Sequence, residues 1–371
     1  MKDNFGREID YMRISLTQDC NLHCAYCRPV QEKNSGRFLD AGDVEKISRT
    51  AVTLGITRFR ITGGEPLLHP ECGKILKGLK ALPQTEYVGI TTNGILLKQR
   101  LGEICEAGTD SVNISLDTMN REKYQRITRR DCLDTVISGI DKAYHAGLQV
   151  KVNCVPGSDF TMEDLSGFLE LIREHKMAVR FIEYMPIGKI DDSLPPAINA
   201  NPLTKTVTSS AFIPWSDHDV VPAVEIRSLL NDALKQEGID PLVPLKKCST
   251  DARCSSKTAA KAAEYETPDT AAAPVGWGPA SYYKIPGAKG TIGFISAISN
   301  HFCATCNRLR LTADGKLRPC LFSDEELDIR GALRNGTEKD LQQIFNEALR
   351  IKPEGHHHRR GTERSMSQVG G

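Results

Sequence analysis

Tyr11-Met12-Arg13-Ile14-Ser15-Leu16-Thr17-Gln18-Asp19-Cys20-Asn21-Leu22-His23-Cys24-Ala25-Tyr26-Cys27 is the stretch from which the fold is read. It opens as a short run rich in apolar and β-branched residues, which is how a buried strand is written, and it ends in three cysteines at x3 and x2 spacing. Three thiolates in one loop can hold three corners of an iron–sulfur cube and leave the fourth iron open. Five further segments read as strands: 57–62, 87–92, 111–116, 148–155 and 179–184. Amphipathic helical patterns lie between them, for example 40–55 and 133–147, the second closing on Gly147. Alternating strand and helix predicts a parallel sheet. Six βα units are too few for a closed eightfold barrel, so the expected fold class is α/β, an open, partial (β/α)6 barrel of TIM-like type.

The strand ends collect the residues that carry chemistry. The cysteine loop follows the first strand, Thr62-Gly63-Gly64-Glu65-Pro66 the second and Thr91-Thr92-Asn93-Gly94 the third, while Ser115 and Asp117 lie near the end of the fourth. Loops at the carboxyl edge of a parallel sheet converge on ligands, so one mouth is expected to gather them. After Tyr184 the rhythm breaks. Residues 190–212 and 246–277 are rich in Ala, Thr, Ser, Pro and Lys without apolar periodicity, and read as surface insertions or linkers. Cys248 and Cys254 within the second receive no role. Between the insertions, 220–238 has a helical pattern. From 281 two short strands around a Pro-Gly turn are expected, then 300–320 carries a second cysteine set, and 325–336 and 339–351 read as helices. The organisation predicted is a barrel over 1–219 and a carboxyl-terminal region over 220–371, whose last segment, 360–371, has the composition of a frayed end.

The 371 residues carry a net charge of +1, so no overall field favours nucleic acid or an anionic membrane, and an anionic ligand must be met by a local cluster of cations. No window reaches the roughly 18 apolar residues of a membrane span, and the start lacks the apolar core of a secretory signal. The expectation is a soluble, intracellular protein, cytoplasmic, or of the mitochondrial matrix in a eukaryote. Six of the twelve cysteines fall in two tight sets, which in a reducing compartment indicates metal. Cys72, Cys105, Cys132 and Cys154 read as ordinary small buried residues.

The second set is Cys303, Cys306 and Cys320. His301 nearby could complete a Cys3His zinc site, and an open cluster is the competing reading. Arg308 and Arg310 follow at i and i+2 on a strand-like run, so their guanidiniums project to one side, as paired phosphate ligands would.

Taken together, CNLHCAYC (20–27), RITGGEPLL (60–68), TTNG (91–94), SLDT (115–118), RFIEYMP (180–186), IPGAKGTIGFIS (285–296), HFCATCNRLRLTADGKLRPCLF (301–322) and the final Gly370-Gly371 resemble the GTP 3′,8-cyclase family of the radical S-adenosylmethionine superfamily. The resemblance implies a radical SAM partial barrel, with a carboxyl-terminal α+β region carrying a second Fe–S cluster. It implies two [4Fe–4S] clusters, on Cys20, Cys24 and Cys27 and on Cys303, Cys306 and Cys320, with the open iron of the second holding guanine. The reaction implied converts GTP to (8S)-3′,8-cyclo-7,8-dihydroguanosine 5′-triphosphate, opening molybdenum cofactor biosynthesis. Arg13, Arg60, Lys151, Arg308 and Arg310 match positions around the nucleotide and Thr91 a hydroxyl contact, with Arg58 and Arg180 as further additions. Tyr26, Gly64, Ser115 and Met185 match S-adenosylmethionine contacts, together with Glu65, whose carboxylate would hold the ammonium group, and Asn93. Gly370 and Gly371 would enter the active site and assist catalysis.

On the residues alone Arg13 and Arg60 read equally as interior salt-bridge members. Arg28 stands where the family has Met. The implied partners are a reductase or flavodoxin-type electron donor and, functionally, cyclic pyranopterin monophosphate synthase, and a homodimer is compatible with the sequence. Two rivals remain: a radical peptide maturase, which would carry a peptide-recognition region ahead of the first cluster, and a non-catalytic Fe–S or zinc protein, which leaves the Gly-Gly-Glu-Pro turn and the arginines without a purpose.

Overall fold

The computed structural model describes residues 1–27, 38–188, 220–245, 278–356 and 362–370. Both insertions, with Cys248 and Cys254, and also Arg28 and Gly371, lie outside the described residues. The six predicted strands are all present: β1 (Tyr11–Ser15), β2 (Arg58–Thr62), β3 (Tyr87–Thr92), β4 (Ser111–Ser115), β5 (Gln149–Cys154) and β6 (Ala178–Ile182). They lie side by side, parallel and in chain order. Period-two alternation decides what each face carries. Met12, Ile14, Phe59, Ile61, Val88, Ile90, Val112, Ile114, Val150 and Val152 are essentially fully buried in the main core. Their neighbours Arg13, Arg60, Thr91, Asn113 and Lys151 line an internal cavity.

The flanking helices begin where the sequence supplies caps. Capping boxes open Ala41–Thr53 at Asp40, Met162–Glu174 at Thr161 and Glu338–Arg350 at Thr337. The helix Leu133–His145 ends as expected at Gly147, whose φ is +81°.

The carboxyl-terminal strands are β7 (Val243–Pro244), β8 (Ser281–Lys284), β9 (Thr291–Ile295), β10 (Arg308–Leu311), β11 (Lys316–Arg318) and β12 (Leu327–Asp328). They extend the same sheet at both edges. Strand β9 pairs parallel with β6, and β10 pairs parallel with β1, with Tyr11 opposite Arg308 and Arg13 opposite Arg310. Antiparallel β8 and β7 finish one edge and β11 and β12 the other, so the sheet stays open, as its length predicted. One helix expectation fails: within 325–336 only Arg330–Asn335 is helical, because Leu327 and Asp328 pair with Leu317 and Lys316. Pairing at a sheet edge outweighs the local helical pattern. Among the described residues no helix is long and apolar enough to cross a membrane.

Candidate active site

The inner face of the sheet encloses a cavity of about 330 Å3. All six clustered cysteines line it, so β1 and β10 bring the two sets to a common space. Tyr26, Gly64, Asn93, Ser115 and Met185 line it as well, and so do Arg13, Arg60, Thr91, Lys151, Arg308 and Arg310 together with Arg58 and Arg180. Glu65 is not on the wall.

The first cysteine loop hangs on the helix Arg121–Thr128 through His23 N to Thr128 O (3.2 Å) and Ala25 N to Ile127 O (3.0 Å). On its other side the Gly-Gly-Glu-Pro turn braces it: Gly64 N donates to Thr17 O and Glu65 N to Asp19 O, both at 2.7 Å. A Cβ at Gly64 would lie 2.3 Å from Asp19 O, so this close approach admits only glycine. Asn93 completes the brace, its Nδ2 donating to Asn21 Oδ1 at 2.6 Å and lying 3.7 Å from Cys20 Sγ. Cys24 is pushed well above an ordinary thiol, first by burial and then by the negative charges of Cys27, Asp117 and Cys20. A thiol so placed ionises readily only beside a cation, which fits a cluster held by this loop.

The expectation that Glu65 reaches a ligand ammonium is corrected. Its carboxylate is fully buried and points back into the fold, with Oε2 accepting from Asn93 N (2.7 Å) and Oε1 from Thr92 Oγ1 (2.8 Å) and Leu67 N (3.0 Å). It positions the Thr-Thr-Asn-Gly loop. Burial raises its pKa from 4.5 to about 7 against the pull of these three donors. The folded state therefore holds this proton more tightly than the unfolded chain. The resulting stabilisation is complete below about pH 4.5 and lost as pH rises through about 7, on the order of 3 kcal/mol at 1.36 kcal/mol per unit. Chemical denaturation of the metal-free protein at pH 5 and pH 8 should show this loss, and Glu65→Gln should remove most of it.

Tyr26 donates to Asp117 Oδ2 at 2.9 Å while Asp117 Oδ1 accepts from Val155 N at 2.9 Å. Burial lifts Asp117 to about 6, although Val155 N, Tyr26 and Lys123 all pull it down. Asp117 thus orients the ring that precedes the last cysteine of the loop.

At the second set, burial would raise Cys306, but the cations of Lys352 and Arg308 outweigh it and the thiol is lowered. Lys352 Nζ donates to Pro319 O (2.6 Å) and Arg308 O (2.8 Å) and lies 3.8 Å from Cys306 Sγ, so it ties the Cys306 and Cys320 segments together. Arg7, paired with Asp3, donates to Cys303 O at 2.9 Å. Neither residue was found from the sequence, since a lone Lys after a helix and an amino-terminal Arg carry no local signal. The ligand atoms of His301, Cys303 and His356 lie within 4.8 Å of one another, so nitrogen ligands also stand beside this set.

The cavity floor is cationic. Arg60, on the cavity wall, forms no salt bridge among the described residues and donates to Tyr11 Oη (2.9 Å), Tyr87 Oη (2.6 Å) and Ile90 O (3.2 Å). Burial alone would raise Tyr11, but the surrounding Arg60, Arg13 and Arg308 bring it down to about 8. Arg58 is neutralised by Asp10 and Glu86. Lys151 is 1% exposed, and burial followed by the charges of Arg180 and Arg60 drives it well below a normal lysine. Arg13 is lowered to about 10 and Arg310 also falls, in both cases chiefly through burial and then through neighbouring arginines. Crowded cations of this kind fit a polyanion.

The tail, frayed on composition, is fixed by tertiary contacts from Thr362 to Gly370. Thr362 exchanges two hydrogen bonds with Gly188, Arg364 pairs with Asp314 (2.9 Å) and Glu326 (2.7 Å), and Val369 is buried with Phe322 and Ile187. Gly370 then reaches the inner face, its carbonyl accepting from Arg310 Nη1 at 2.6 Å.

Residues 14–172 match the family model for the Radical SAM superfamily, and 240–358 match that for Molybdenum Cofactor Synthesis C. A GTP 3′,8-cyclase from Moorella thermoacetica is 38% identical over 378 aligned positions that cover all of both chains. The chain belongs to the GTP 3′,8-cyclase family. Another relative of the family's sequence, molybdenum cofactor biosynthesis protein 1 of Drosophila melanogaster, is 35% identical over 96% of this chain and 54% of its own length. Among solved structures, Streptococcus suis SuiB bound to S-adenosylmethionine superposes with a TM-score of 0.54 over 91% of this chain and 66% of that chain. At 13% identity that likeness is one of fold alone, so the fold is shared with SuiB whereas the family is set by sequence.

Proposed function

We propose that this family member converts GTP to (8S)-3′,8-cyclo-7,8-dihydroguanosine 5′-triphosphate, using S-adenosylmethionine and two [4Fe–4S] clusters, the second on Cys303, Cys306 and Cys320. The observation that carries this reading is the single cavity walled by both cysteine sets and floored by Arg13, Lys151, Arg308 and Arg310. When bound, the first cluster and S-adenosylmethionine supply a 5′-deoxyadenosyl radical able to take the ribose 3′ hydrogen. The protein's own part is placement. Cys20, Cys24 and Cys27 offer the ligands, Asp117 fixes Tyr26, the buried cations anchor the triphosphate, and Arg310 turns Gly370 toward the reacting end. Confining the nucleotide between the two sets keeps a reactive carbon away from water and from stray hydrogen donors. An external flavodoxin-type protein would supply electrons, and cyclic pyranopterin monophosphate synthase would take the product.

Anaerobic reconstitution should give about eight irons per chain, falling to about four when Cys303, Cys306 and Cys320 are replaced by alanine. Incubation with GTP, S-adenosylmethionine and a reductant should then yield 5′-deoxyadenosine together with the cyclised nucleotide. 5′-Deoxyadenosine without cyclised nucleotide would sink the substrate assignment. The positions of His301 and His356 favour one competing reading, zinc at the second set, for which the same metal analysis gives about four irons and one zinc.

A further inference from the structure

Asn113 lies at the centre of β4, between Val112 and Ile114, which are both fully buried on the helix-facing side. Alternation turns its amide into the cavity, where it is 5% exposed. Its Oδ1 is buried and has no hydrogen-bond partner among the described residues. Directly beside it on β3, in register, Thr91 Oγ1 is in the same condition. Its partner in register on β5 is Lys151. Ile61 and Ile90 pair on the neighbouring strands just before Thr62 and Thr91, and Thr62 is in register with Ser15; these last two are the residues against which Gly370 packs. A buried acceptor with no protein partner costs a folded protein the lost solvation of that atom, and the cost is offset when a ligand or a water in the cavity supplies a donor. The row therefore runs from the tail, through two unsatisfied polar atoms, to a buried cation.

We propose that Asn113 is a substrate contact whose Oδ1 accepts a hydrogen bond from a ribose hydroxyl of the nucleotide, with Thr91 beside it and Lys151 toward the phosphates. The sugar is the part of a nucleoside triphosphate that offers hydroxyl donors next to a phosphate anchor. This places the ribose on the row of polar residues that leads across β3 to Gly370. The inference rests on GTP being the substrate.

Equilibrium binding of GTP, 2′-deoxy-GTP and 3′-deoxy-GTP to the cluster-loaded protein tests it, in wild type and in Asn113→Ala. The wild type is expected to bind one of the deoxy analogues about ten-fold more weakly than GTP. Asn113→Ala is expected to bind GTP about ten-fold more weakly and to lose the discrimination against that analogue. Because Oδ1 has no protein partner among the described residues, the near-isosteric Asn113→Leu should unfold no earlier than wild type and should show the same loss of discrimination. It serves as the measurement if the alanine variant does not fold. Equal losses for GTP and both analogues overturn the inference, since a merely structural role would weaken all three alike. Failure of the wild type to bind GTP is a separate result: it removes the substrate reading and this inference with it.

Discussion

Gly370→Val is expected to lower formation of cyclised nucleotide at least about 100-fold while iron content, folding and release of 5′-deoxyadenosine persist. Gly370 sits at φ +73°, a region that costs a residue bearing a Cβ about 1–2 kcal/mol. The added Cβ would lie 2.5 Å from Thr62 Oγ1 and 3.1 Å from Ser15 Cβ, both on strands that cannot move aside. The tail must then withdraw, breaking the bond from Arg310 to the Gly370 carbonyl. A misplacement of about 1 Å can cost about 100-fold in rate. The tail meets only the side chains of Thr62 and Ser15, whereas the first cysteine loop is held by backbone bonds from His23, Ala25, Gly64 and Glu65 and by the Asn93 amide, so cluster loading should persist. Quantifying both nucleoside products by chromatography separates the outcomes: parallel loss of 5′-deoxyadenosine would mean that the tail supports the first site rather than the substrate.

Lys151→Met is the second large effect, and its two halves have opposite sign. With 1% exposure, and with Arg60 and Arg180 as its charged neighbours, Lys151 makes no ion pair among the described residues. Replacing it by an apolar residue of similar length removes both desolvation and repulsion, which should stabilise the metal-free protein by about 1–2 kcal/mol. GTP affinity should fall about 100-fold, since a charge-assisted bond to phosphate from a buried ammonium is lost. Thermal unfolding and equilibrium binding read the two halves. Inorganic tripolyphosphate should reproduce most of the stabilisation that GTP gives the wild type and little of that in the variant. A variant less stable than wild type would show that Lys151 is a structural residue.

These expectations depend on how the sequence writes its information. The six barrel strands were legible because each is a short run with a buried apolar face, and strand ends are where parallel sheets place their ligands. Residues in compact motifs, such as Cys20, Tyr26 and Arg310, could be expected on the cavity wall for the same reason, and they line it. Glu65 was misjudged because a carboxylate in a glycine turn looks identical in sequence whether it faces outward or accepts three bonds from its own loop. Lys352 and Arg7 were missed because their value lies in distant carbonyls at Pro319, Arg308 and Cys303. The helix expected over 325–336 failed where Leu327 met Leu317, a pairing that no local pattern encodes. Asn113 needed the cavity, since an unsatisfied oxygen is defined by what surrounds it.

The pairing of β1 with β10 also sets a schedule for biosynthesis. Tyr11 emerges from the ribosome about 300 residues ahead of Arg308, its partner across that edge. At about 5–20 residues per second, the open edge of β1 waits roughly 15–60 s for its neighbour. During that interval its unpaired N–H and C=O groups, flanked by Met12 and Ile14, form a template for any other nascent strand. The chain can finish its cavity only after nearly all of it has been made, so chaperone supply and translation speed, more than final stability, should govern how much of it is recovered in working form.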